Sequence, residues 1–125
     1  MTRPGILVLI KGLGIGGAER LIAEAVPVWD RESFDYRVAY ALPHKDAFVP
    51  AIEAEGVPVA CIGDSSGLDT ATPRRFRQLL ARWRPAVVHA HSPTMGILAR
   101  VVGSTPCVYT EHNVADSYRW PTRIA

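Results

Sequence analysis

Short apolar runs alternate along the chain with segments whose apolar positions recur every three or four residues. The runs predict strands, and the longer spacing predicts helices. Predicted strands cover residues 5–10, 36–42, 57–62, 86–91 and 106–110, and predicted helices cover residues 18–29, 46–55, 73–83 and 93–102. Nearly continuous apolar strands that alternate with helices are typical of a parallel sheet covered on both faces.

The handedness of such connections predicts the strand order. Parallel crossovers are right-handed, so five strands wind most simply as 3-2-1-4-5. We therefore predict one α/β domain over residues 1–125, with a doubly wound, mostly parallel, Rossmann-like sheet. Ligands of such sheets bind outside the carboxyl ends of the strands where the order reverses, here between the first and fourth strands.

A glycine-rich loop follows the first predicted strand, with glycines at positions 12, 14, 16 and 17. Glycine leaves backbone N–H groups unobstructed, and the start of the following helix carries partial positive charge. The loop therefore predicts a site for a phosphate or sugar phosphate. A tight strand-to-helix turn that binds nothing is the plainer alternative.

Histidines cluster at the predicted strand ends. His89 and His91 are two residues apart and project from the same strand face, and His112 follows the neighbouring strand. Three imidazoles could bind zinc, but Glu111 is the one nearby carboxylate available to orient a ligand, so we expect no metal. We expect His89, deeper in its strand, to be a hydrogen-bonded core residue.

The charge is unevenly distributed. The 125 residues carry a net charge of +2, but residues 1–72 have six basic and ten acidic side chains, whereas residues 73–125 have eight and two. The basic half suits an anionic substrate or a membrane face and lacks the runs of a nucleic-acid-binding tail. We predict no nucleic-acid partner and leave a peripheral membrane contact open.

The predicted helix 73–83 carries one apolar stripe, made of Phe76, Leu79, Leu80 and Trp83, with arginines elsewhere. We expect the stripe to pack on the sheet and the arginines to be solvated. An amphipathic helix lying on an anionic membrane is the alternative. Cys61 and Cys107 lack metal or disulfide spacing, which indicates buried, reduced thiols in a cytoplasmic protein.

Three motifs resemble a known family. GGAER at 16–20, PAVVHAHS at 85–92 and VYTEHN at 108–113 are similar to the amino-terminal domain of family 4 glycosyltransferases of the GT-B fold. The resemblance extends from about residue 6 to residue 113. Ala86 departs from it, since the family often has aspartate there, which leaves the local hydrogen bonding of that strand in doubt.

The resemblance implies a two-domain enzyme that transfers sugar from a nucleotide-sugar donor, with no further cofactor. In the family the carboxy-terminal domain holds most of the donor and the amino-terminal domain receives the acceptor. It implies that this chain is the acceptor-side half and an incomplete domain, inactive without the carboxy-terminal domain, as the apolar residues at 118–121 also suggest. The acceptor would be a sugar or a lipid-linked sugar, placing the protein in the cytoplasm or at the inner face of the membrane.

The resemblance also implies residue roles. Gly16 and Gly17 would approach the donor pyrophosphate, and His112 would be the catalytic residue beside the reacting sugar. The residues implied to bind acceptor or substrate are Glu19, Arg20, His91, Ser92, Thr110, Glu111 and Asn113.

Two other functions remain open from the sequence. Gly12, Gly14 and Gly17 fit the G-x-G-x-x-G pattern of NAD(P)-binding oxidoreductases, but that motif needs an acidic residue at the end of the second strand. The sequence there is Ala-Leu-Pro-His over 41–44. A non-catalytic, truncated binding module is the other alternative, since one fold supports many functions.

Overall fold

A computed structural model describes residues 2–64 and 69–112. Strands and helices alternate along the described residues. The strands are β1 Gly5–Ile10, β2 Asp35–Tyr40, β3 Val59–Cys61, β4 Val87–Ala90 and β5 Cys107–Tyr109, and the helices are α1 Gly17–Ala25, α2 Val49–Ala54, α3 Thr72–Trp83 and α4 Pro93–Val102.

The five strands form one sheet in the order β3-β2-β1-β4-β5, and every neighbouring pair is parallel. The predicted fold class and strand order are confirmed. β1 is central, with Val8 opposite Val38 on one side and His89 on the other. The order reverses between β1 and β4, so the carboxyl ends of these strands form the expected ligand-binding edge.

Two apolar layers enclose the sheet. The front layer, under α1 and α2, is built around Val8, Ile10, Ile22, Val38 and Ile52. The back layer, under α3 and α4, is built around Leu7, Leu9, Phe76, Leu79, Val88 and Met95. Successive residues of β1 therefore point into opposite cores, which explains why its sequence is apolar throughout.

Prolines shift two helix boundaries from their predicted positions. The helix predicted over 18–29 ends at Ala25 and continues as a 3-10 turn over Val26–Val28, because Pro27 cannot donate the next helical hydrogen bond. The helix predicted over 46–55 begins only at Val49, with Pro50 in its first turn. Helix α4 occupies its predicted range.

Two helices are followed by a residue whose backbone lies in the left-handed region. Gly56 follows α2 with φ 83°, where glycine is free of the steric penalty that other residues meet. Arg84 follows α3 with φ 49°, and its N–H donates to the Leu80 carbonyl. Pro85 then prevents the helix from continuing, so the predicted stop is confirmed.

The prediction of buried thiols is wrong for Cys61, which is exposed, while Cys107 is partly buried. Both lie on the outermost strands, β3 and β5, where one side of the strand has no neighbour in the sheet. Both are free thiols. The apolar segment 118–121 lies outside the described residues.

Within 2–64 and 69–112, none of the helices has the length and apolar character needed to cross a bilayer.

Candidate functional site

A cleft of about 700 Å³ lies at the carboxyl ends of β1, β4 and β5, where the strand order reverses. Strand ends and the first turns of two helices form its walls. Its lining residues are Ile10, Lys11, Gly17, Ala18, Glu19, Leu21, His91, Ser92, Pro93, Tyr109, Glu111 and His112. The cleft is large enough for a ligand of the size of a sugar or nucleotide.

The N-terminal ends of α1 and α4 both face this cleft. Gly16, the residue before α1, is extended and has no side chain to cap the helix. Ser92 precedes α4 and is also extended, and its side chain forms no capping hydrogen bond. The Ser92 hydroxyl is buried and has no hydrogen-bond partner among the residues that the structure describes. Two helix ends with unoccupied N–H groups and one unpaired hydroxyl therefore favour an anionic or polyhydroxylated ligand.

The first half of the glycine loop packs against another part of the protein. Leu13 is fully buried, and its backbone bonds to Lys45 and Phe48 hold the first half of the loop against the β2–α2 connection. A Cβ added at Gly12 or Gly14 would lie 3.1 or 3.2 Å from the Lys45 side chain. The first half therefore packs against protein, which differs from a dinucleotide loop that packs against a cofactor.

Gly16 and Gly17 have different surroundings. A Cβ added at Gly16 would overlap the Glu19 carboxylate, so Gly16 makes room for that side chain. A Cβ added at Gly17 would meet no heavy atom of residues 2–64 and 69–112 within 4 Å, and Gly17 lines the cleft. Gly17 is thus the loop glycine whose open side faces the space available to a ligand.

Three imidazoles form a row at the ends of β4 and β5. The His89 and His91 ring centroids are 4.0 Å apart, and those of His91 and His112 are 5.2 Å apart. His91 Nδ1 lies 3.0 Å from His112 Nε2, and His89 Nε2 lies 2.5 Å from Thr110 Oγ1. The row runs from the half-buried His89 to the exposed His112 at the cleft.

Burial keeps the inner part of this row neutral. Burial lowers the pKa of His91 to about 4, with smaller contributions from His89 and His112. Burial also lowers the pKa of His89, and His112 adds to the effect. At neutral pH His91 is therefore an uncharged imidazole that can accept as well as donate a hydrogen bond.

The structure brings together most residues predicted for the site. Gly17, Glu19, His91, Ser92, Glu111 and His112 line the cleft. Thr110 does not line it, but its hydroxyl contacts His89, whose ring lies against that of His91. Gly16 is one residue outside the lining, and Arg20 is exposed on α1 away from it. Asn113 lies outside the described residues.

Six lining residues were not among the predicted ones, and two of them, Lys11 and Tyr109, carry polar groups. Lys11 follows the last residue of β1 and contributes a cation to the cleft. Tyr109 ends β5 on the back side, where its ring packs over Gly96 and its hydroxyl lies 3.4 Å from Glu111 Oε2. The position of Lys11 at the end of the central strand was the available signal, whereas the placement of Tyr109 depends on how α4 packs.

A second groove of about 520 Å³ continues from the cleft along the front face of the sheet. It runs between α1 and the His89 side of β4 and is mostly apolar. Val108 on β5 is 54% exposed, since no helix within the described ranges covers this part of the sheet. No group of three His, Cys, Asp or Glu residues in the same ranges has an arrangement that could hold a metal ion.

Comparison with known proteins identifies a family and a structural relative that shares the fold. The sequence profile described as Glycosyltransferase Family 4 matches residues 15–125. Comparison with curated proteins finds no match. The solved structure of phosphoribosylglycinamide formyltransferase from Brucella melitensis aligns with a TM-score of 0.58 at 12% identity, over 86% of this chain and 56% of that one. This chain therefore spans just over half of that protein, and at such identity the likeness concerns the fold alone.

Proposed function

The chain belongs to glycosyltransferase family 4, and from this premise we propose that it is the acceptor-side half of a nucleotide-sugar-dependent hexosyltransferase. The observation that carries the proposal is the convergence of two uncapped helix ends and the histidine row on one cleft. A carboxy-terminal donor domain facing the cleft would complete the active site, as in the family that the motifs resemble.

Sugar transfer places two opposite charges close together. The bond between the sugar C1 and the diphosphate oxygen breaks, and C1 bonds to an acceptor hydroxyl, whose proton leaves with the diphosphate. Negative charge grows on the diphosphate, and positive charge grows on the sugar ring. A site that stabilises both charges at fixed positions lowers the barrier selectively.

The start of α1 is suited to the diphosphate. The helix has partial positive charge at this end, and the open side of Gly17 lets phosphate oxygens approach the backbone N–H groups. Lys11 adds a full positive charge to the same cleft. In this proposal Gly17 and Lys11 contact the donor diphosphate, with Gly16 shaping the turn.

The histidine row is suited to the sugar hydroxyls. His112 is exposed at the cleft, and the neutral His91 behind it holds its ring through the 3.0 Å contact. A neutral His91 adds no positive charge beside a sugar ring that becomes positive in the transition state. In this proposal His112 is the catalytic residue, and His91 positions it. Ser92, Glu19 and Glu111 bind the acceptor.

The test is release of nucleoside diphosphate by the full-length protein from a panel of nucleotide-sugars, with and without simple glycosides as acceptors. We expect release from at least one donor, increased by an acceptor. Binding of a donor without turnover would favour the non-catalytic module, and reduction of NAD(P) by a hydroxy substrate would favour the oxidoreductase. Either result would contradict the proposal.

A further inference from the structure

The back layer carries an unusual concentration of positive charge. Residues 70–110 contain six arginines and no lysine, aspartate or glutamate. This segment forms α3, β4, α4 and β5, so its two helices make up the whole described outer surface of the back layer. A protein surface whose only requirement is solubility usually carries positive and negative side chains interspersed.

Most of these arginines are unpaired. Arg75 alone is partly buried and pairs with Asp69 at 3.1 Å and Asp64 at 3.8 Å. The other five are exposed and form no ion pair with any residue in the described ranges: Arg74, Arg77, Arg82, Arg84 and Arg100. Five guanidinium groups therefore remain without an ion-pair partner among the described residues, and one of them, that of Arg82, lies 5.9 Å from the centre of the Trp83 ring.

Exposed aliphatic side chains lie beside these arginines. Ile97 is 47% exposed and Val101 is 77% exposed on α4, where they are one helical turn apart and flank Arg100. Helices α3 and α4 pack side by side, and a Cβ added at Gly103, directly after α4, would lie 2.9 Å from Leu80 Cδ1 of α3. The outward sides of the two helices therefore form one surface, which we call the arginine face.

The apolar stripe of α3 does not take part in this surface. Phe76 and Leu79 are buried against the sheet, and Leu80 and Trp83 pack beside them. The alternative in which this stripe enters a membrane is therefore wrong, because the core occupies it. What remains is a flat, cationic face with two exposed aliphatic residues.

We propose that the arginine face binds the surface of an anionic lipid bilayer. Guanidinium groups form paired hydrogen bonds with lipid phosphates, and exposed aliphatic side chains gain from contact with the interface. Helix α4 begins at the cleft with Pro93, so the arginine face and the cleft share this helix. Binding to the bilayer does not depend on whether the cleft transfers sugar.

The test is co-sedimentation of the full-length protein with phosphatidylcholine vesicles, with and without phosphatidylglycerol, at about 0.05 M and about 0.5 M salt. We expect binding only to the anionic vesicles and only at the lower salt. The variant Arg74→Gln/Arg77→Gln should bind about 30-fold more weakly, because each arginine near the surface contributes roughly a fivefold factor.

A charge-matched control variant distinguishes binding through the arginine face from binding that depends only on the net charge of the protein. Arg20→Gln/Lys45→Gln removes two exposed cations from the front side and should bind like the unchanged protein. Val101→Ser should weaken binding, whereas Val28→Ser, at an 80% exposed residue on the front side, should not. All variants should keep the circular dichroism of the parent.

Three results would overturn the proposal. The first is absence of binding to anionic vesicles at low salt. The second is equal loss of binding in the two double variants, which would mean that net charge alone acts. The third is retention on heparin without any binding to vesicles, which would indicate a soluble polyanion as the partner.

Discussion

His91 is the residue on which the geometry of the candidate site depends most. It contacts His89 on one side and His112 on the other, and it is partly buried and neutral at pH 7. In His91→Phe the ring stacking is preserved and the hydrogen bond to His112 is lost. We expect the bond to His91 to hold His112 in one tautomer, so nitrogen-15 NMR spectra of the variant should show both tautomers of His112. The kcat should fall about tenfold with little change in KM.

The control is His44→Phe, since His44 is exposed and lies outside the cleft. It should leave both measurements unchanged. If His112 keeps one tautomer in His91→Phe, then His91 does not position it, whatever happens to the activity.

Gly17 tests the role of the glycine loop at the same scale. A Cβ at this position meets no atom of the described part of the chain within 4 Å, so Gly17→Val should change the free energy of unfolding by less than about 1 kcal/mol. It should weaken donor binding at least tenfold in calorimetry, because the side chain occupies the space of the phosphate. Unchanged donor affinity would show that the phosphate binds elsewhere.

Gly14→Val is the matched comparison for Gly17→Val. A Cβ at Gly14 would lie 3.2 Å from Lys45, so this change should disturb the packing of the loop and lower the melting temperature. The two variants should therefore affect different properties: Gly14→Val should lower stability, and Gly17→Val should weaken donor binding.

At the scale of elements, α3 connects the arginine face to the core. Phe76 is fully buried between α3 and the sheet, and Phe76→Ala should cost about 3–5 kcal/mol in urea unfolding. Val101→Ala on the exposed side of α4 should cost less than about 0.5 kcal/mol. A small effect of Phe76→Ala would contradict the packing of α3 described here.

Local signals predict some elements better than others. Helix α4 was predicted at its observed bounds because Ser92 precedes it, Pro93 is its first residue and Gly103 follows it. Helices α1 and α2 were predicted too long because Pro27 and Pro50 sit inside otherwise helical patterns. The contact of Gly12 and Gly14 with Lys45 was not predictable, since it joins two loops that only the folded sheet brings together.

At the scale of the whole molecule, crossover handedness was enough to predict the strand order, and the order predicted where the site lies. The neighbouring positions of His91 and His112 follow from this order. The 3.0 Å contact between them does not, because it depends on the register that places Ala90 opposite Tyr109. The place of Tyr109 in the cleft was missed because it depends on how its ring packs over Gly96 of α4.

The buried imidazoles also predict how stability depends on pH. The pKa of His91 is about 4 in the folded protein against an ordinary value of 6.5, so the unfolded chain binds more protons between these values. Stability should be fully present above pH 6.5 and should fall as the pH drops toward 4, by at most about 3 kcal/mol from this residue. His89 acts in the same direction.

His91→Phe should flatten this part of the pH profile in thermal or urea unfolding. A profile of the unchanged protein that is flat from pH 7 to about 4 would contradict the burial of the histidine row.

The most direct test of the account is the kcat of His112→Ala in the full-length protein, measured with its nucleotide-sugar and acceptor. His112 is exposed at the cleft, so its removal should leave the melting temperature nearly unchanged. We predict that kcat falls by about 10²-fold or more, the scale expected for one positioned polar group in the transition state, while His44→Ala keeps full activity. An unchanged kcat, or a loss of activity that follows a collapse in stability, would contradict a catalytic role for His112.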